Sequence, residues 1–422
     1  MRRTGGRATR ASLQALTATT ATALLLAACG GEEAAAPATG SAAGSAPATA
    51  TADPPSPPSV AATAPSTAAA APTGTASEAP DPTSTFTDAT ATGAPDASAA
   101  QDVVTGLDVP WDLAFLPDGT ALVTLRDQQR VVHVTPDGQL QPVAAEGEDG
   151  RVSGVAPGGE GGLLGITTDV GAEHVYVYLS APEENRVVRY DFDRDALALT
   201  DPSTVLDGIP RSEVHNGGRI DLGPDGHLYV ATGDARDEAA SQEPGSLAGK
   251  ILRVTTDGEP APGNPDPTSP VWSSGHRNVQ GLGWSAADGT MWASEFGQNR
   301  TDELNAIAPG NDYGWPQVEG TGGGERFTDP VATWGTDEAS PSGIAVTDDA
   351  VYLAALRGQR LWRVPVRDGE VAGEPEVFLD GYGRLRHVEL APDGKSLWVL
   401  TSNTFRGDPR EGDDRILRVP LG

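Results

Sequence analysis

A tight turn followed by an alternating apolar run recurs six times between Gln101 and Gly422, and this repeat settles what the chain can fold into. It stands at Pro117-Asp118-Gly119-Thr120-Ala121-Leu122-Val123 and at Asp169-Val170-Gly171-Ala172-Glu173-His174-Val175-Tyr176-Val177. It returns at Pro224-Asp225-Gly226-His227-Leu228-Tyr229-Val230 and at Asp288-Gly289-Thr290-Met291-Trp292-Ala293. The last two copies are Asp348-Asp349-Ala350-Val351-Tyr352-Leu353 and Pro392-Asp393-Gly394-Lys395-Ser396-Leu397-Trp398-Val399. Asp-Gly beside alternating apolar residues is a hairpin signal, because glycine supplies the positive φ that a tight turn needs.

A second run follows most of these turns: Arg130–Val134, Arg186–Tyr190, Lys250–Val254, Arg360–Val364 and Arg415–Val419, with a looser Asp302–Ile307 in the remaining repeat. β-branched and aromatic residues at period two fit a pleated, half-buried surface. Copies spaced roughly 45 to 63 residues apart, with no amphipathic helix between them, fit blades or solenoid turns. Radial closure protects the edges of all-strand repeats, so the reading is all-β: a six-bladed propeller of four-stranded antiparallel blades. The strand around Val103-Val104 is expected to complete the last blade. Trp111, Trp272, Trp284 and Trp398 read as blade core.

The chain before Gln101 has another character. Arg2, Arg3, Arg7 and Arg10 precede an apolar stretch ending Leu24-Leu25-Leu26-Ala27-Ala28-Cys29. A basic start and an apolar segment too short to span a bilayer read as an export signal. Small residues before the only cysteine look like a lipobox, which implies cleavage after residue 28 and lipid attachment to Cys29. One cysteine allows no internal disulfide. From there to about residue 100 the chain is almost entirely Ala, Thr, Pro, Ser and Gly, and cannot bury enough apolar surface to offset its ordering entropy. The expected organisation is a lipoprotein signal peptide (1–28), a disordered linker (29–100) and the propeller (101–422). A net charge of −30 excludes nucleic acid as a partner and argues against the folded part lying on anionic lipid.

Propellers host many chemistries, so function must come from the loops at the channel mouth. Two Gly-rich segments carry it: His215-Asn216-Gly217-Gly218-Arg219, leading into a strand, and Gly275-His276-Arg277-Asn278-Val279-Gln280-Gly281. Glycine lets a ligand approach the backbone closely. Imidazole, amide and guanidinium add a base, a neutral hydrogen bonder and a cationic fork. Arg384-Leu385-Arg386 places two further guanidinium groups on one face of an extended strand.

These motifs resemble the soluble quinoprotein glucose/sorbosone (aldose sugar) dehydrogenases, and the resemblance covers Gln101–Gly422. It implies an oxidoreductase that converts aldoses at the anomeric carbon to lactones, with pyrroloquinoline quinone (PQQ) as hydride acceptor, Ca²⁺ as a second cofactor, and electrons leaving to a quinone or redox protein. His215 is then the proton-abstracting base, with Arg277 acting beside it on the quinone oxygens. Arg277, Asn278, Glu160, Ala355, Leu356, Arg357, Arg384, Leu385 and Arg386 would contact the cofactor. The segments Glu295-Phe296-Gly297-Gln298, Asp302-Glu303-Leu304-Asn305 and Asn311-Asp312-Tyr313-Gly314-Trp315-Pro316 match the family's metal-binding pattern. The resemblance implies backbone carbonyls at Gly297 and Gln298 as ligands of a cofactor-bound Ca²⁺, and the Glu303 side chain with the Tyr313 carbonyl as ligands of a second, structural one, oxygen donors that suit a hard cation.

One position departs from the family. Glu160, in Gly158-Gly159-Glu160-Gly161-Gly162-Leu163-Leu164, stands where relatives carry Gln. A carboxylate there repels an anionic cofactor unless it is protonated or paired with an Arg. Two functions of other classes also fit the propeller: a calcium-dependent lactonase, and a non-catalytic glycan- or protein-binding module.

Overall fold

The computed structural model describes residues 97–421, and within them six antiparallel sheets follow one another along the chain. Blade 1 contains Pro110–Phe115, Ala121–Leu125, Arg130–Val134 and Leu140–Val143. Blade 2 contains Leu163–Thr168, His174–Ser180, Asn185–Asp193 and Ala198–Ile209. Blade 3 contains Ile220–Leu222, Leu228–Ala231, Lys250–Val254 and Val271–Ser274. Blade 4 contains Val279–Trp284, Met291–Glu295, Asp302–Ile307 and Ala332–Trp334. Blade 5 contains Pro341–Val346, Ala350–Ala355, Arg360–Arg367 and Glu376–Asp380, with a two-residue strand, Glu370–Val371, on its third strand. Blade 6 contains Leu385–Leu390, Ser396–Thr401 and Arg415–Pro420, and is completed by the N-terminal Gln101–Thr105.

The first strand of each blade packs on the first strand of the next, so these strands ring the axis and blade 1 meets blade 6. The second strands are the most buried: Ala121–Leu125, Ala350–Ala355 and Ser396–Thr401 are buried at every position. Both their faces lie under neighbouring blades, which explains their near-continuous apolar sequence. The outer strands have one wet face and little sequence signature, as in Leu140–Val143.

The core is distributed rather than central. Six apolar clusters lie one between each pair of adjacent blades. Each fully buried Leu, Val or Ile contributes roughly 1.5–3 kcal/mol. Trp111 and Trp398 are buried as expected, whereas Trp272 and Trp284 are half-buried and edge onto Tyr229 at the rim of their wedge. A short turn, Ala97–Ala99, precedes the first strand, and Ala97 and Ala100 pack on the blade 5–6 cluster. The expected export signal and Cys29 lie outside the described residues, as does the linker up to residue 96. Among the described residues no helix is long and apolar enough to cross a membrane.

Candidate functional site

The leads into the first strands and the connections between second and third strands open on one face of the ring, and the candidate residues come from them. His215 sits in the lead into blade 3 with a left-handed backbone, φ 59°. Gly217 and Gly218 follow at φ 61° and 109°, and a Cβ at either position would strike the blade 3 backbone or the Leu164 side chain. The glycines of this motif therefore exist for close packing that points the imidazole outward.

His215 Nδ1 lies 2.8 Å from Asp234 Oδ1, and its Nε2 lies 2.9 Å from Arg277 Nη2. A guanidinium only donates, so Nε2 is an acceptor and Nδ1 carries the proton donated to Asp234. The ring is thus held as the tautomer a general base requires, with its lone pair toward Arg277. Asp234 is buried in the connection after the second strand of blade 3. Its Oδ1 also accepts the Arg236 backbone N–H at 2.8 Å, and its Oδ2 accepts Trp315 Nε1–H at 3.0 Å. Burial acts to raise this carboxyl, but the hydrogen bonds from His215, Arg236 and Trp315 outweigh it and hold it below the usual carboxylate range.

Arg277 enters from blade 4. Its Nη1 donates to the Phe296 carbonyl at 3.2 Å, and its guanidinium lies 5.5 Å over the Trp315 ring. Glu295 braces this turn: one oxygen accepts the Arg277 backbone N–H and the other meets His276 Nδ1 at 2.8 Å. His276 itself is fully buried, with Nε2 2.8 Å from Ser273 Oγ and its ring stacked on Tyr313. It is a brace rather than a reactive group. Asn278 Oδ1 accepts the Gly217 backbone N–H at 3.0 Å, which locks blade 4 to the His215 turn.

The structure gathers cations on the opposite side of the mouth. Arg386 is buried, with Nη1 on Gln280 Oε1 at 2.8 Å and its guanidinium 5.7 Å over Trp111. Arg384 is half-buried above it. Burial first, then the repulsion of Arg126 and Arg384, disfavours the charged form of Arg386; burial and Arg406 do the same for Arg384. Nε of Arg277, Arg384 and Arg386 are all buried without a hydrogen-bond partner. Guanidinium groups with orphaned Nε donors at one mouth fit a planar polycarboxylate such as PQQ. Leu385 is buried in its strand between the two arginines.

Glu160 comes from the lead into blade 2. Its Oε2 accepts the His215 backbone N–H at 3.1 Å, and its Oε1 meets Arg406 Nη1 at 2.7 Å. The repulsion expected from a carboxylate here is met by pairing, with a residue the sequence did not single out.

The remaining expected residues divide. Ala355 and Leu356 are buried at the end of the second strand of blade 5, and Arg357 is exposed beyond them. Among the described residues the side-chain polar partners of His215 are Glu160, Asp234 and Arg277, and these three are not among them. Gly297, Glu303 and Tyr313 share one cavity wall with Arg277, Glu295 and Glu319, whereas Gln298 is exposed beside it. Glu303 is buried, accepting Gly320 N–H at 2.7 Å and Asn305 Nδ2–H at 3.1 Å; burial and then the Glu295 carboxylate push it up to about 8. Glu319 Oε1 accepts the four consecutive N–H groups of Gln298, Asn299, Arg300 and Thr301. Among the described residues no three His, Cys, Asp or Glu side chains converge in metal-ligating geometry. A cation here would draw on Glu303 plus backbone carbonyls, an oxygen-only set that fits Ca²⁺.

Asp234 and Arg406 were not apparent from the sequence, and Glu295 and Trp315 stood out only within the metal-binding pattern, not as braces of the His215–Arg277 pair. Asp234 did carry a local signal, an acidic residue just past Gly233 at the exit of the strand Leu228–Ala231.

Comparison with known proteins adds an independent line. Residues 107–407 match the Glucose / Sorbosone dehydrogenase family. The aldose sugar dehydrogenase of Streptomyces coelicolor, solved in a PQQ-bound form, is 50% identical, with a TM-score of 0.73 over 78% of this chain and 99% of that one. The Escherichia coli aldose sugar dehydrogenase is 29% identical over 342 residues, 71% of this chain and 88% of the relative. Quinoprotein glucose dehydrogenase B of Acinetobacter calcoaceticus is 28% identical over 277 residues, 56% of this chain and 57% of the relative. With a closed six-bladed ring, a His–Asp–Arg cluster at its mouth and a family match over most of its length, this chain belongs to the glucose/sorbosone dehydrogenase family.

Proposed function

We propose that this chain is a PQQ-dependent aldose sugar dehydrogenase that oxidises the anomeric carbon to a lactone. The observation that carries the reading is a single cluster. His215 is held by Asp234 as the Nε2-basic tautomer, 2.9 Å from Arg277, and Arg277, Arg384 and Arg386 each have a buried Nε without a protein partner.

Arg384 and Arg386 would hold the cofactor carboxylates, and Arg277 and Asn278 would contact its other polar groups. When bound, PQQ supplies the two-electron acceptor for the hydride leaving the sugar. His215 Nε2 takes the proton of the anomeric hydroxyl, and Asp234 stabilises the imidazolium that forms. Arg277, fixed by Phe296 and by Glu295 on its backbone, offers a preorganised positive charge where negative charge develops. The half-buried position of His215, 19% exposed, admits substrate while limiting water.

Two calcium ions belong to the same proposal, one on the carbonyls of Gly297 and Gln298 beside the cofactor and a structural one on Glu303 and the Tyr313 carbonyl, as does electron transfer to an external quinone or redox protein. So does export with lipid attachment at Cys29, which would place the enzyme on the extracellular face of the cell membrane. Labelled fatty acid incorporated into the wild type and absent from Cys29→Ala would support the anchor.

The test of function is dye-linked oxidation of a panel of aldoses by the purified protein, with and without PQQ and Ca²⁺. Activity should require PQQ and vanish in His215→Ala. Tight PQQ binding with no oxidation of any aldose would overturn the assigned reaction.

A further inference from the structure

Glu160 puts a full negative charge among groups that otherwise await an anion. Its field reaches Arg277, Arg384 and Arg386. Its other partner, Arg406, lies 246 residues further along the chain, in the 402–414 connection of blade 6. The pair therefore spans blade 1, tying the lead into blade 2 to the last blade of the ring.

Arg406 is held deliberately. Its backbone is left-handed, φ 59°, unusual for a side-chain-bearing residue. The preceding ring, Phe405, lies between Arg126 at 3.8 Å and Arg406 at 4.9 Å. The following Gly407 has no room for a Cβ, which would come within 2.7 Å of Arg384 Cδ. Yet the Arg406 side chain is 52% exposed, and ion pairs so wet add little to folding stability. Strained backbone and tight packing that deliver a guanidinium of small structural value point to a role in the site.

We infer that Arg406 is a positioning residue for the cofactor site: it neutralises Glu160, so that this carboxylate can hold the His215 turn without repelling an anionic cofactor. A neutral amide at position 160 could accept the same His215 N–H and would need no such partner. Positions 160 and 406 are therefore coupled, and the coupling is the measurable content of the inference. It rests on the reading of the site as a PQQ site.

The experiment is a double-mutant cycle read in PQQ dissociation constants, from quenching of tryptophan fluorescence in the full-length apo protein with Ca²⁺ at low ionic strength. The variants are Arg406→Ala, Arg406→Lys, Glu160→Gln and Glu160→Gln/Arg406→Ala. Arg406→Ala should weaken PQQ roughly fivefold or more, since an unpaired carboxylate then faces the cofactor. Arg406→Lys should recover most of that loss. In the Glu160→Gln background, removing Arg406 should change the constant by less than about twofold.

Equal weakening in both backgrounds, or none in either, overturns the inference while leaving the PQQ reading intact. Absence of PQQ binding in every protein, wild type included, sinks both. Thermal unfolding of each apo variant reports whether it is folded. If Arg406→Ala is not, the cycle is run with Arg406→Gln, which keeps the aliphatic stem and a polar end and removes the charge.

Discussion

Replacing Asp234 by Asn keeps the shape of the site and removes one charge, which makes it the sharpest test of the His215 assignment. Asp234 accepts three hydrogen bonds, from His215 Nδ1 and the Arg236 N–H on one oxygen and from Trp315 Nε1–H on the other. An Asn can satisfy only one side. With its amide toward Trp315, the indole N–H faces another donor and is left unpaired. With its amide toward His215, the ring must accept at Nδ1, which puts the proton on Nε2 and abolishes the base. In either orientation the imidazolium formed during oxidation loses its counter-charge. A hydrogen bond to a charged group contributes about 1.5–3 kcal/mol, or one to two powers of ten in rate at about 1.4 kcal/mol each. Where the wrong tautomer is trapped, loss of a triad aspartate in a protease reaches about 10⁴-fold. Steady-state oxidation by the PQQ-loaded enzyme should therefore show kcat reduced by roughly 10- to 10⁴-fold, with PQQ affinity within a few-fold of wild type. An orphaned indole should also lower stability by about 1–3 kcal/mol in urea unfolding. A kcat within fivefold of wild type would refute the argument that Asp234 sets the working tautomer of His215.

Arg384→Met should weaken PQQ at least thirtyfold by the rough scale for truncating a buried charged contact, yet leave the apo protein as stable or more so, because the cations it repels lose a neighbour. Fluorescence titration and calorimetry measure the two sides; unchanged affinity would remove Arg384 from the site. Calcium should stabilise the wild type, by about 2.7 kcal/mol at a hundred times its dissociation constant, and should not stabilise Glu303→Gln. An equal calcium-induced rise in Tm in both proteins would place the ion elsewhere. Stability should fall as pH rises from about 4 to about 6: burial pushes Asp112, Asp221 and Asp302 each up to about 6, so the folded state binds more protons than the unfolded chain across that window. The carboxyls held low, Asp225 and Asp234 among them, contribute the opposite slope at more acid pH, and His387 and His133, held below the usual histidine range by burial, offset part of the fall. A urea midpoint higher at pH 6.5 than at 4.5 would contradict the assignment.

The fold was legible because the propeller repeats its instructions. Glycine at φ 82°, 73°, 76° and 66° closes the turns at Gly119, Gly226, Gly289 and Gly394, each where an Asp-Gly pair announced it. The second and third strands of each blade carry dense apolar runs because blades cover them on both faces. Outer strands have no such pressure. The short Glu370–Val371 strand and the three-residue Ala332–Trp334 left no pattern to find. The closure of blade 6 was legible too, because a lone strand with nothing beside it in sequence pairs with the far end of the chain.

The site was legible only where a motif concentrates it in sequence. His215, Arg277, Arg384 and Arg386 announced themselves as chemistry set among glycines or at strand spacing, and the ring brings them to one mouth. Their braces did not, because a brace is chosen by geometry and can be supplied from any blade. Asp234 serves His215 from 19 residues away, and Trp315 serves Asp234 from 81 residues away. Glu160 makes the point most clearly, since its charge reverses meaning once Arg406 is known. Read alone, it is a carboxylate that should expel the cofactor; in the closed ring it is half of a neutral pair and a clamp on the His215 backbone. Circular closure makes residues at opposite ends of the domain neighbours. The sign of an electrostatic effect at such a mouth therefore follows from the sum over all six blades, which no local window of sequence contains.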